Sequence, residues 1–395
     1  MANLEMTRPT KQTTKRPLLR EIYMAGVDAV KGEFVTRAYL TRAKVPAPTH
    51  ILAIGKAAVS MFSGVPSSWR DGAKSLVITK YGHLAGLTSG PSLEVFESAH
   101  PIPDSASLAM GRRALEFVRE CKGSDRLYVL VPGGVSSLIE DLHDGVTLEQ
   151  LTDLSEALLS ASVGIHEINR QRAKISNVKS GGLLSEFSGE RVDVMVISDV
   201  PGDKVSSVGS GIAEKPAKFV PKYKQHIIGS NLVARNAAAK LAASLGLNVN
   251  QNAEILHGEI QNIAARMCQE IRNGPAGIYI YGGEPTINLP QNPGPGGRNQ
   301  ALALEMSRLL SGSSDVTGLI AGTDGTDGTT LAAGGYVDAL VYNEESGGLH
   351  AQETASSALY LEKVGAQFVT GPTGTNVMDL AVFYKDEASW LAPFR

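Results

Sequence analysis

Short apolar runs, each followed directly by a glycine-rich polar segment, recur along the chain. The runs are rich in Val, Ile and Leu, which is typical of strands buried on both faces of a mostly parallel sheet. Seven such runs stand out, at residues 50–54, 127–131, 192–197, 226–228, 278–281, 318–321 and 368–369. The pattern therefore predicts a series of buried strands with polar, glycine-rich connections at their carboxyl ends.

Helical patterns lie between several of these runs. The clearest covers residues 147–164, where Thr147 and Gln150 have the spacing of a capping box. One apolar stripe follows on this helix, formed by Leu148, Leu151, Leu154, Leu158 and Leu159. Strands that alternate with helices predict a layered α/β fold.

The length of 395 residues exceeds the roughly 250–300 residues at which one hydrophobic core usually stops growing. Two domains are therefore expected. We predict a flexible arm at 1–20, an N-terminal α/β domain at 21–250 and a C-terminal domain at 251–395, with the division placed where one helical pattern ends near residue 250.

Charge and cysteine content narrow the function. The 37 basic and 40 acidic residues nearly balance, which disfavours nucleic acid as a partner. No stretch approaches the roughly 18 apolar residues of a membrane span. Cys121 and Cys268 form no CxxC pair, so a reducing, cytoplasmic location is predicted.

The sequence lacks the signature motifs of several common nucleotide-binding, zinc-binding and hydrolase sites. Lys56 follows a glycine but does not complete a Walker A loop, and no GxGxxG follows a strand, which disfavours a dinucleotide-binding dehydrogenase. There is no HExxH zinc motif, so His100 and His166 are interpreted as structural. The segment around Ser136 and Ser137 is not a GxSxG elbow.

The remaining groups suit phosphoryl transfer, which needs cations and hydrogen-bond donors around the moving group. Lys56 stands at a strand end, and Arg298 opens a helical pattern after Gly296 and Gly297. Acidic residues that could bind magnesium follow other strands: Asp199, Asp203, Glu284, Asp324 and Asp327. Each of these acids alone could equally cap a helix or form a turn.

The chain resembles the glycerate 2-kinases of the MOFRL type from about residue 17 onward. The motifs that carry the resemblance are IGKAA at 54–58, HPIPD at 100–104, GGVSSL at 133–138, HEINRQRAKISNVKSGGLL at 166–184, ISDVPGD at 197–203, GGEPT at 282–286, GGRNQALAL at 296–304, GTDGTDG at 322–328 and TGPTGTNVMDL at 370–380. They occur in the order typical of the family.

The resemblance implies ATP-dependent phosphorylation of D-glycerate to 2-phosphoglycerate, with Mg²⁺, in the cleft of a two-domain α/β fold. Each domain is expected to contain a mostly parallel sheet layered with helices. The N-terminal domain would be Rossmann-like without the dinucleotide fingerprint, and the smaller C-terminal one would be the MOFRL domain. Lys56 and Arg298 match the family's catalytic positions, and Asp199 is predicted to activate the acceptor hydroxyl.

The resemblance also implies three sets of binding residues. The substrate or phosphate would contact Gly133, Gly134, Ser136, Ser137, Asn169, Arg172, Lys179 and Asn231. The nucleotide would contact Gly283, Glu284, Gly297, Asn299, Thr323, Thr373, Gly374 and Asn376. Magnesium would bind Asp199, Asp324 and Asp327. For Arg172 and Lys179, which could hold the substrate carboxylate, ion pairs on a helix face are the alternative interpretation.

Four positions depart from the family pattern: Val135, Ile212, Ala213 and Leu331. We interpret them as signs of an altered acceptor, with Val135 narrowing its pocket. A kinase of another hydroxy acid or polyol and a non-catalytic relative therefore remain alternatives. A hydroxypyruvate reductase would require NAD(P)H, which the missing fingerprint disfavours. The partners expected are small molecules, and a homodimer is left open.

Overall fold

A computed structural model of the protein describes residues 13–160 and 170–387. The chain forms two compact units. The N-terminal unit comprises residues 30–230 and 374–377. The C-terminal unit comprises, within the described chain, residues 13–29, 231–373 and 378–387, and its first α-helix is α1 (Arg16–Ala29). None of the described helices has the length and apolar character needed to cross a membrane.

The N-terminal unit contains a six-stranded parallel sheet in the order β3-β2-β1-β4-β5-β6. Its strands are β1 (His50–Ile54), β2 (Lys74–Lys80), β3 (Leu93–Ser98), β4 (Arg126–Val131), β5 (Arg191–Ile197) and β6 (Lys222–Gly229). This is the strand order of doubly wound nucleotide-binding folds, so the Rossmann-like expectation is confirmed. The order reverses between β1 and β4, which makes the carboxyl ends of these two strands the expected ligand site.

Helices cover this sheet. They are α2 (Gly32–Ala43), α3 (Ala58–Gly64), α4 (Ser67–Asp71), α5 (Ser105–Glu120), α6 (Val135–Leu138), α7 (Leu148–Ser160) and α8 (Gly182–Ser185). The predicted capping box of α7 is present, because the backbone N–H groups of Thr147 and Gln150 each donate to the other's side chain. Residues 161–164, at the end of that predicted helix, lie outside the described residues.

The C-terminal unit contains a second six-stranded sheet, in the order β13-β12-β11-β14-β9-β7. Its strands are β7 (Val249–Glu254), β9 (Gly277–Gly283), β11 (Val316–Gly322), β12 (Gly334–Val337), β13 (Gln367–Phe368) and β14 (Asp379–Lys385). A separate short pair joins β8 (Gly258–Glu259) to β10 (Pro285–Thr286). The helices are α1, α9 (Asn231–Ser244), α10 (Ile260–Asn273), α11 (Arg298–Leu309), α12 (Gly348–Glu353) and α13 (Ser357–Lys363).

The second sheet corrects the expectation of mostly parallel strands. All its neighbours pair antiparallel except β7 and β9. The sequence pattern did not reveal the antiparallel pairing because the strands of this sheet are buried on both faces. Along β9, Ile278 and Ile280 belong to a core shared with α1 and α9, whereas Tyr279 and Tyr281 belong to a core shared with α10. Because both faces are apolar, the polar–apolar alternation that usually reveals antiparallel strands is absent.

The unit boundaries also differ from those expected. The structure divides the chain between Ser230 and Asn231, whereas residue 250 falls inside β7. Residues 16–20 belong to α1 rather than to a flexible arm, and Leu19 of that helix is fully buried. Helix α1 packs so closely on α9 that a Cβ on Gly26 would lie 2.9 Å from the Ala234 carbonyl oxygen.

Candidate active site

Lys56 lies directly after β1, at the carboxyl end of the parallel sheet. Gly55 has a φ of +146°, which lets the chain turn sharply at this point. The backbone N–H of Lys56 then donates to the carbonyl oxygen of Gly133, at 3.0 Å, and Gly133 follows β4. Lys56 and Gly133 therefore meet at the point where the strand order reverses.

The Lys56 side chain and the His100 ring lie on the turn formed by Gly133 and Gly134. Gly134 has a φ of +82°. A Cβ at this position would lie 2.9 Å from Lys56 Cγ and 3.1 Å from His100 Nε2. Glycine is thus required both by the backbone conformation and by the close approach of these two side chains.

Asp199 lies on the other side of the same turn, two residues after β5 ends. Its Oδ2 accepts hydrogen bonds from the Gly134 backbone N–H at 3.1 Å and from Asn376 Nδ2 at 3.3 Å. A Cβ on Gly133 would overlap both the Asp199 carboxylate and the Asn376 amide. The prediction that Asp199 emerges at the carboxyl end of a strand agrees with the fold, and these bonds join it to a neighbouring loop.

The two predicted substrate-binding cations reach the same carbonyl group. Arg172 Nη2 and Lys179 Nζ donate to the Ser136 carbonyl oxygen at 3.3 and 3.2 Å. Lys179 is fully buried and forms an ion pair with Glu140 at 2.5 Å. Arg172 forms no ion pair within the described chain, and its Nε is buried there without a hydrogen-bond partner. Burial lowers the pKa of Arg172, and the Glu140 carboxylate opposes this change.

Three more predicted substrate residues are less informative. Ser136 contributes its carbonyl oxygen to the contacts just described. Ser137 has a buried hydroxyl that finds no hydrogen-bond partner among the described residues. Asn169 lies outside the described residues.

Three of the four departures from the family pattern are buried, and the fourth is exposed. Val135, Ile212 and Ala213 are buried in the core of the N-terminal unit. A Cβ on Gly209 would lie 3.0 Å from Val135 Cβ and 3.3 Å from Ile212 Cγ2, so these two side chains pack around one point. Leu331, in contrast, is 85% exposed. Val135, Ile212 and Ala213 are therefore accounted for by core packing, and Val135 does not support an altered acceptor.

In the C-terminal unit, Arg298 is the first residue of α11. Its Nη1 donates to Glu284 Oε1 at 2.5 Å, and its Nη2 lies 3.5 Å from Asp379 Oδ2. Burial works against the charge of Arg298, but the carboxylates of Asp379 and Glu284 outweigh it and raise the pKa. Arg298 therefore stays charged at the start of α11.

Asp379 is the first residue of β14 and is almost completely buried. Its Oδ1 accepts from Asn299 Nδ2 at 2.8 Å, while its Oδ2 has no hydrogen bond within the described chain. Burial raises the pKa of Asp379 to about 7, against the attraction of Arg298. A buried carboxyl that titrates near neutrality beside a charged arginine is typical of functional sites.

Two of the acidic residues predicted to bind magnesium, Asp327 and Asp324, accept hydrogen bonds from nearby groups. Asp327 accepts from the backbone N–H groups of Asn299 and Gln300 and from both of their side-chain amides. It therefore caps the start of α11, and burial raises its pKa. Asp324 accepts from the N–H and hydroxyl of Thr326 within its own turn. Among the described residues, no group of three or more His, Cys, Asp and Glu side chains could hold a metal ion. The binding of magnesium by Asp199, Asp324 and Asp327 stays a prediction.

Several predicted nucleotide residues pack the C-terminal unit. Gly297 lies against Asp327, whose carboxylate a Cβ would overlap. Gly283 has a φ of +135°, and a Cβ there would lie 3.0 Å from the His257 ring. Thr323 is buried, donates to the Met378 carbonyl and accepts from the Thr373 hydroxyl.

Three other predicted residues are placed unexpectedly. Gly374 and Asn376 belong to the N-terminal unit, although they follow Thr373 in sequence. Asn231 is buried in the C-terminal unit, donates to the Asp379 carbonyl at 3.0 Å and accepts from Arg235 at 2.9 Å. These bonds give Asn231 a structural role at the start of α9, and its contact with substrate stays a prediction.

Three candidate residues were missed by sequence reasoning. His100 was interpreted as structural, although its HPIPD motif carried part of the resemblance. Glu140 is fully buried beside Lys179 but lies two residues beyond the GGVSSL motif. Asp379 lies inside the quoted TGPTGTNVMDL motif. For His100 and Asp379 a signal was therefore available in the sequence, but nothing there indicates which of their neighbours they contact.

Comparison with known proteins identifies the family. Residues 18–234 match a family described as a domain of unknown function, DUF4147, and residues 277–379 match the MOFRL family. The chain is 34% identical, over 84% of its length and 89% of the relative's, to a D-glycerate 2-kinase of Thermotoga maritima. The chain belongs to the MOFRL-type glycerate 2-kinase family.

Two further comparisons agree with this family. The crystal structure of a glycerate kinase from Thermotoga maritima has a TM-score of 0.80 and 29% identity, and the match covers 94% of this chain and 99% of that one. A protein named putative hydroxypyruvate reductase in Agrobacterium vitis is 30% identical over 84% of this chain and 97% of its own length. The two-unit α/β fold of this glycerate 2-kinase family member is thus the one found in its structural relative.

Proposed function

We propose that the protein is an ATP-dependent glycerate 2-kinase that transfers the γ-phosphoryl group of ATP to the 2-hydroxyl of D-glycerate. The observation that carries this proposal is the cluster at the β1–β4 switch point, where Lys56, Asp199 and the Gly133–Gly134 turn meet in a chain of this family. An ammonium group, a carboxylate and a tight glycine turn at this position suit an anionic substrate with a reactive hydroxyl.

Arg172 is the better of the two predicted carboxylate-binding residues. Lys179 already has a buried carboxylate partner in Glu140, which compensates its charge. Arg172 has no ion pair within the described chain. Its Nη2 donates a hydrogen bond to a neutral group, the Ser136 carbonyl oxygen. A guanidinium can bind a carboxylate through two parallel hydrogen bonds. This favours a hydroxy acid over an uncharged polyol as the acceptor.

Asp199 is proposed to accept the proton of the acceptor hydroxyl. The hydroxyl oxygen forms a bond to the γ-phosphorus, the bond between that phosphorus and the β,γ-bridging oxygen breaks, and ADP leaves. An alcohol is too weak an acid to ionise at neutral pH, so a carboxylate within hydrogen-bond reach helps as the oxygen attacks. The Gly134 N–H and the Asn376 amide hold Asp199 in one orientation.

Lys56 and Arg298 are proposed to stabilise the charge that develops on the transferred phosphoryl group. The predicted use of ATP follows from kinase chemistry, with Gly283, Glu284, Gly297, Asn299, Thr323 and Thr373 retained as proposed neighbours of the nucleotide. Mg²⁺ is proposed to enter with the ATP phosphates. Its contacts with Asp199, Asp324 and Asp327 stay predictions, and no step is assigned to a protein-bound ion.

The location, the oligomeric state and the catalytic activity of the protein stay predictions. The protein is expected in the cytoplasm, a homodimer stays open, and a non-catalytic role is the alternative to kinase activity. The reductase activity named for one relative is disfavoured because no dinucleotide fingerprint follows β1, where the sequence reads IGKAA.

The purified protein with Mg-ATP and a panel of D-glycerate, L-glycerate, hydroxypyruvate, lactate and glycerol tests the proposal through ADP release. D-Glycerate is expected to give the highest kcat/KM, and ³¹P NMR is expected to identify 2-phosphoglycerate. Glycerol is expected to be inactive because it cannot occupy a carboxylate site. Oxidation of NADH in the presence of hydroxypyruvate, without any ADP release on the panel, would reverse the assignment in favour of a reductase.

A further inference from the structure

Glu140 is a buried carboxylate whose oxygens are both occupied. Lys179 Nζ donates to Oε2 at 2.5 Å, and the Ser176 hydroxyl donates to Oε1. The backbone N–H of Asp141 also donates to Oε1, at 3.2 Å. Both side chains of the Lys179–Glu140 pair are 0% exposed. Burying two charges is unfavourable unless the pair is well bonded, and an apolar pair would fill the same space at less cost.

The buried Lys179–Glu140 pair is hydrogen-bonded, through Lys179, to the GGVSSL loop at 133–138. Lys179 uses a second donor on the Ser136 carbonyl oxygen, and Arg172 donates to that same oxygen. A carbonyl oxygen has two lone pairs, so these two cations satisfy it completely. Burial lowers the pKa of Lys179, while the Glu140 carboxylate opposes this and favours the charged form.

We propose that Glu140 and Lys179 are positioning residues for the acceptor site: they fix the Ser136 carbonyl, and through it both the GGVSSL loop and the Arg172 guanidinium. Glu140 also compensates the charge of Lys179, so that the charge of Arg172 is directed at the substrate carboxylate. This inference rests on the proposed function, in which Arg172 binds the carboxylate of the hydroxy acid. It assigns Lys179 to support of the site instead of contact with the substrate.

The test is the double variant Glu140→Gln/Lys179→Met. Gln keeps an acceptor for Ser176 and the Asp141 N–H, and Met keeps most of the length of Lys without its donor. Removing both charges avoids leaving one buried charge unpaired, which is the reason the single variants are expected to fold poorly. The control is Arg191→Met/Asp193→Asn, which removes another ion pair of the same unit, at 2.5 Å and mostly buried.

Two readouts are needed. The KM for D-glycerate is expected to rise at least tenfold in the Glu140/Lys179 double variant, with less than a twofold change in the KM for ATP, whereas the control keeps both values. Amide hydrogen exchange across residues 133–138 is expected to accelerate at least tenfold in the double variant and to stay unchanged in the control.

The outcomes separate the two proposals. A folded double variant with wild-type KM for glycerate, or with wild-type exchange in the loop, overturns the positioning role. A wild-type protein that phosphorylates no glycerate overturns the proposed function, whatever the exchange rates show. A rise in both KM values would also contradict the inference, because it would indicate general loosening of the protein.

Discussion

The side-chain amide of Asn376 donates a hydrogen bond to the carboxylate of Asp199, although the two residues are 177 positions apart in the chain. Residues 374–377 leave the C-terminal unit and join the N-terminal one. Two bonds fix this segment there: Gly32 N–H donates to the Gly374 carbonyl, and the Thr375 hydroxyl donates to the Val30 carbonyl. From the bond between Asn376 and Asp199 we expect Asn376 to orient this carboxylate, while the nucleotide contact that the resemblance implies for Asn376 stays a prediction.

Asn376→Leu is therefore expected to lower kcat about tenfold or more while changing the KM for ATP little, because it removes a donor from Asp199 without adding charge. Steady-state kinetics with ATP and glycerate varied separately would measure both. Thr375→Val is the control, since it removes a hydrogen bond of the same segment that does not reach Asp199. A large rise in the KM for ATP with kcat unchanged would indicate instead that Asn376 contacts the nucleotide.

Lys56→Ala is expected to reduce kcat/KM about 10²–10³-fold, the usual effect of removing one preorganised charge or donor from a transition state. The fold should persist, because the backbone bond from Lys56 to Gly133 does not depend on the side chain. Kinetics and thermal unfolding monitored by circular dichroism would be compared with Lys74→Ala, which breaks an exposed ion pair with Glu120. Near wild-type turnover in Lys56→Ala would remove Lys56 from the mechanism.

Arg298→Lys is expected to lower kcat/KM about tenfold or more although the charge is kept. An ammonium cannot reproduce the planar fork with which a guanidinium contacts two oxygens, and Arg298 divides its contacts between Glu284 and Asp379. The matched control is Arg308→Lys on the same helix, where the arginine pairs with Glu305. Equal activity of the two variants would indicate that Arg298 is structural.

Much of the fold could be predicted from the sequence because buried strands and polar strand ends are local features. Six of the seven apolar runs lie within strands, and the seventh, 368–369, overlaps β13 only at Phe368. The proximity of Lys56 to Gly133 follows from two adjacent strand ends. The order of the sheet and the direction of its strands depend on long-range pairing. Residues 316–322 and 379–385 pair antiparallel with nothing in either segment to indicate it.

The candidate site was predictable only in part for the same reason. Asp327 follows a strand, as a metal ligand could, but its carboxylate caps a helix that begins 29 positions earlier, at Arg298. Val135 stands in a glycine-rich loop, yet its side chain turns into the core. Motif and spacing located the glycine-rich loops at the strand ends, and the direction in which each side chain points required the structure.

Val135→Gly tests the corrected interpretation of that position. Removing a fully buried valine and introducing a flexible residue is expected to destabilise the protein by about 2–4 kcal/mol. Acceptor preference in the substrate panel should not change, because the side chain packs in the core. Leu331→Glu, at an exposed position, should leave both stability and preference within about 0.5 kcal/mol of wild type. A changed preference in folded Val135→Gly would restore the altered-acceptor hypothesis.

Asp379 makes a pH-dependent contribution to stability whose sign follows from its pKa. Burial raises that pKa from 3.8 to about 7. Between about pH 4 and pH 7 the folded chain therefore binds a proton that the unfolded chain has released. The contribution of this carboxyl is most favourable at low pH and is lost as the pH rises through 7, where the folded protein must hold a buried charge.

Asp379→Asn is consequently expected to stabilise the protein, by up to about 4 kcal/mol at pH 8 and by less at pH 5, because a neutral amide replaces a buried carboxylate. Urea unfolding at both pH values would measure the difference. The variant should also lose activity, since Arg298 loses one of its two carboxylate partners. Asp338→Asn is the control: Asp338 is bonded to Arg16 at 3.0 Å, so the change should destabilise the protein. If Asp379→Asn destabilises the protein equally at both pH values, Asp379 is an ordinary ion-pair partner of Arg298.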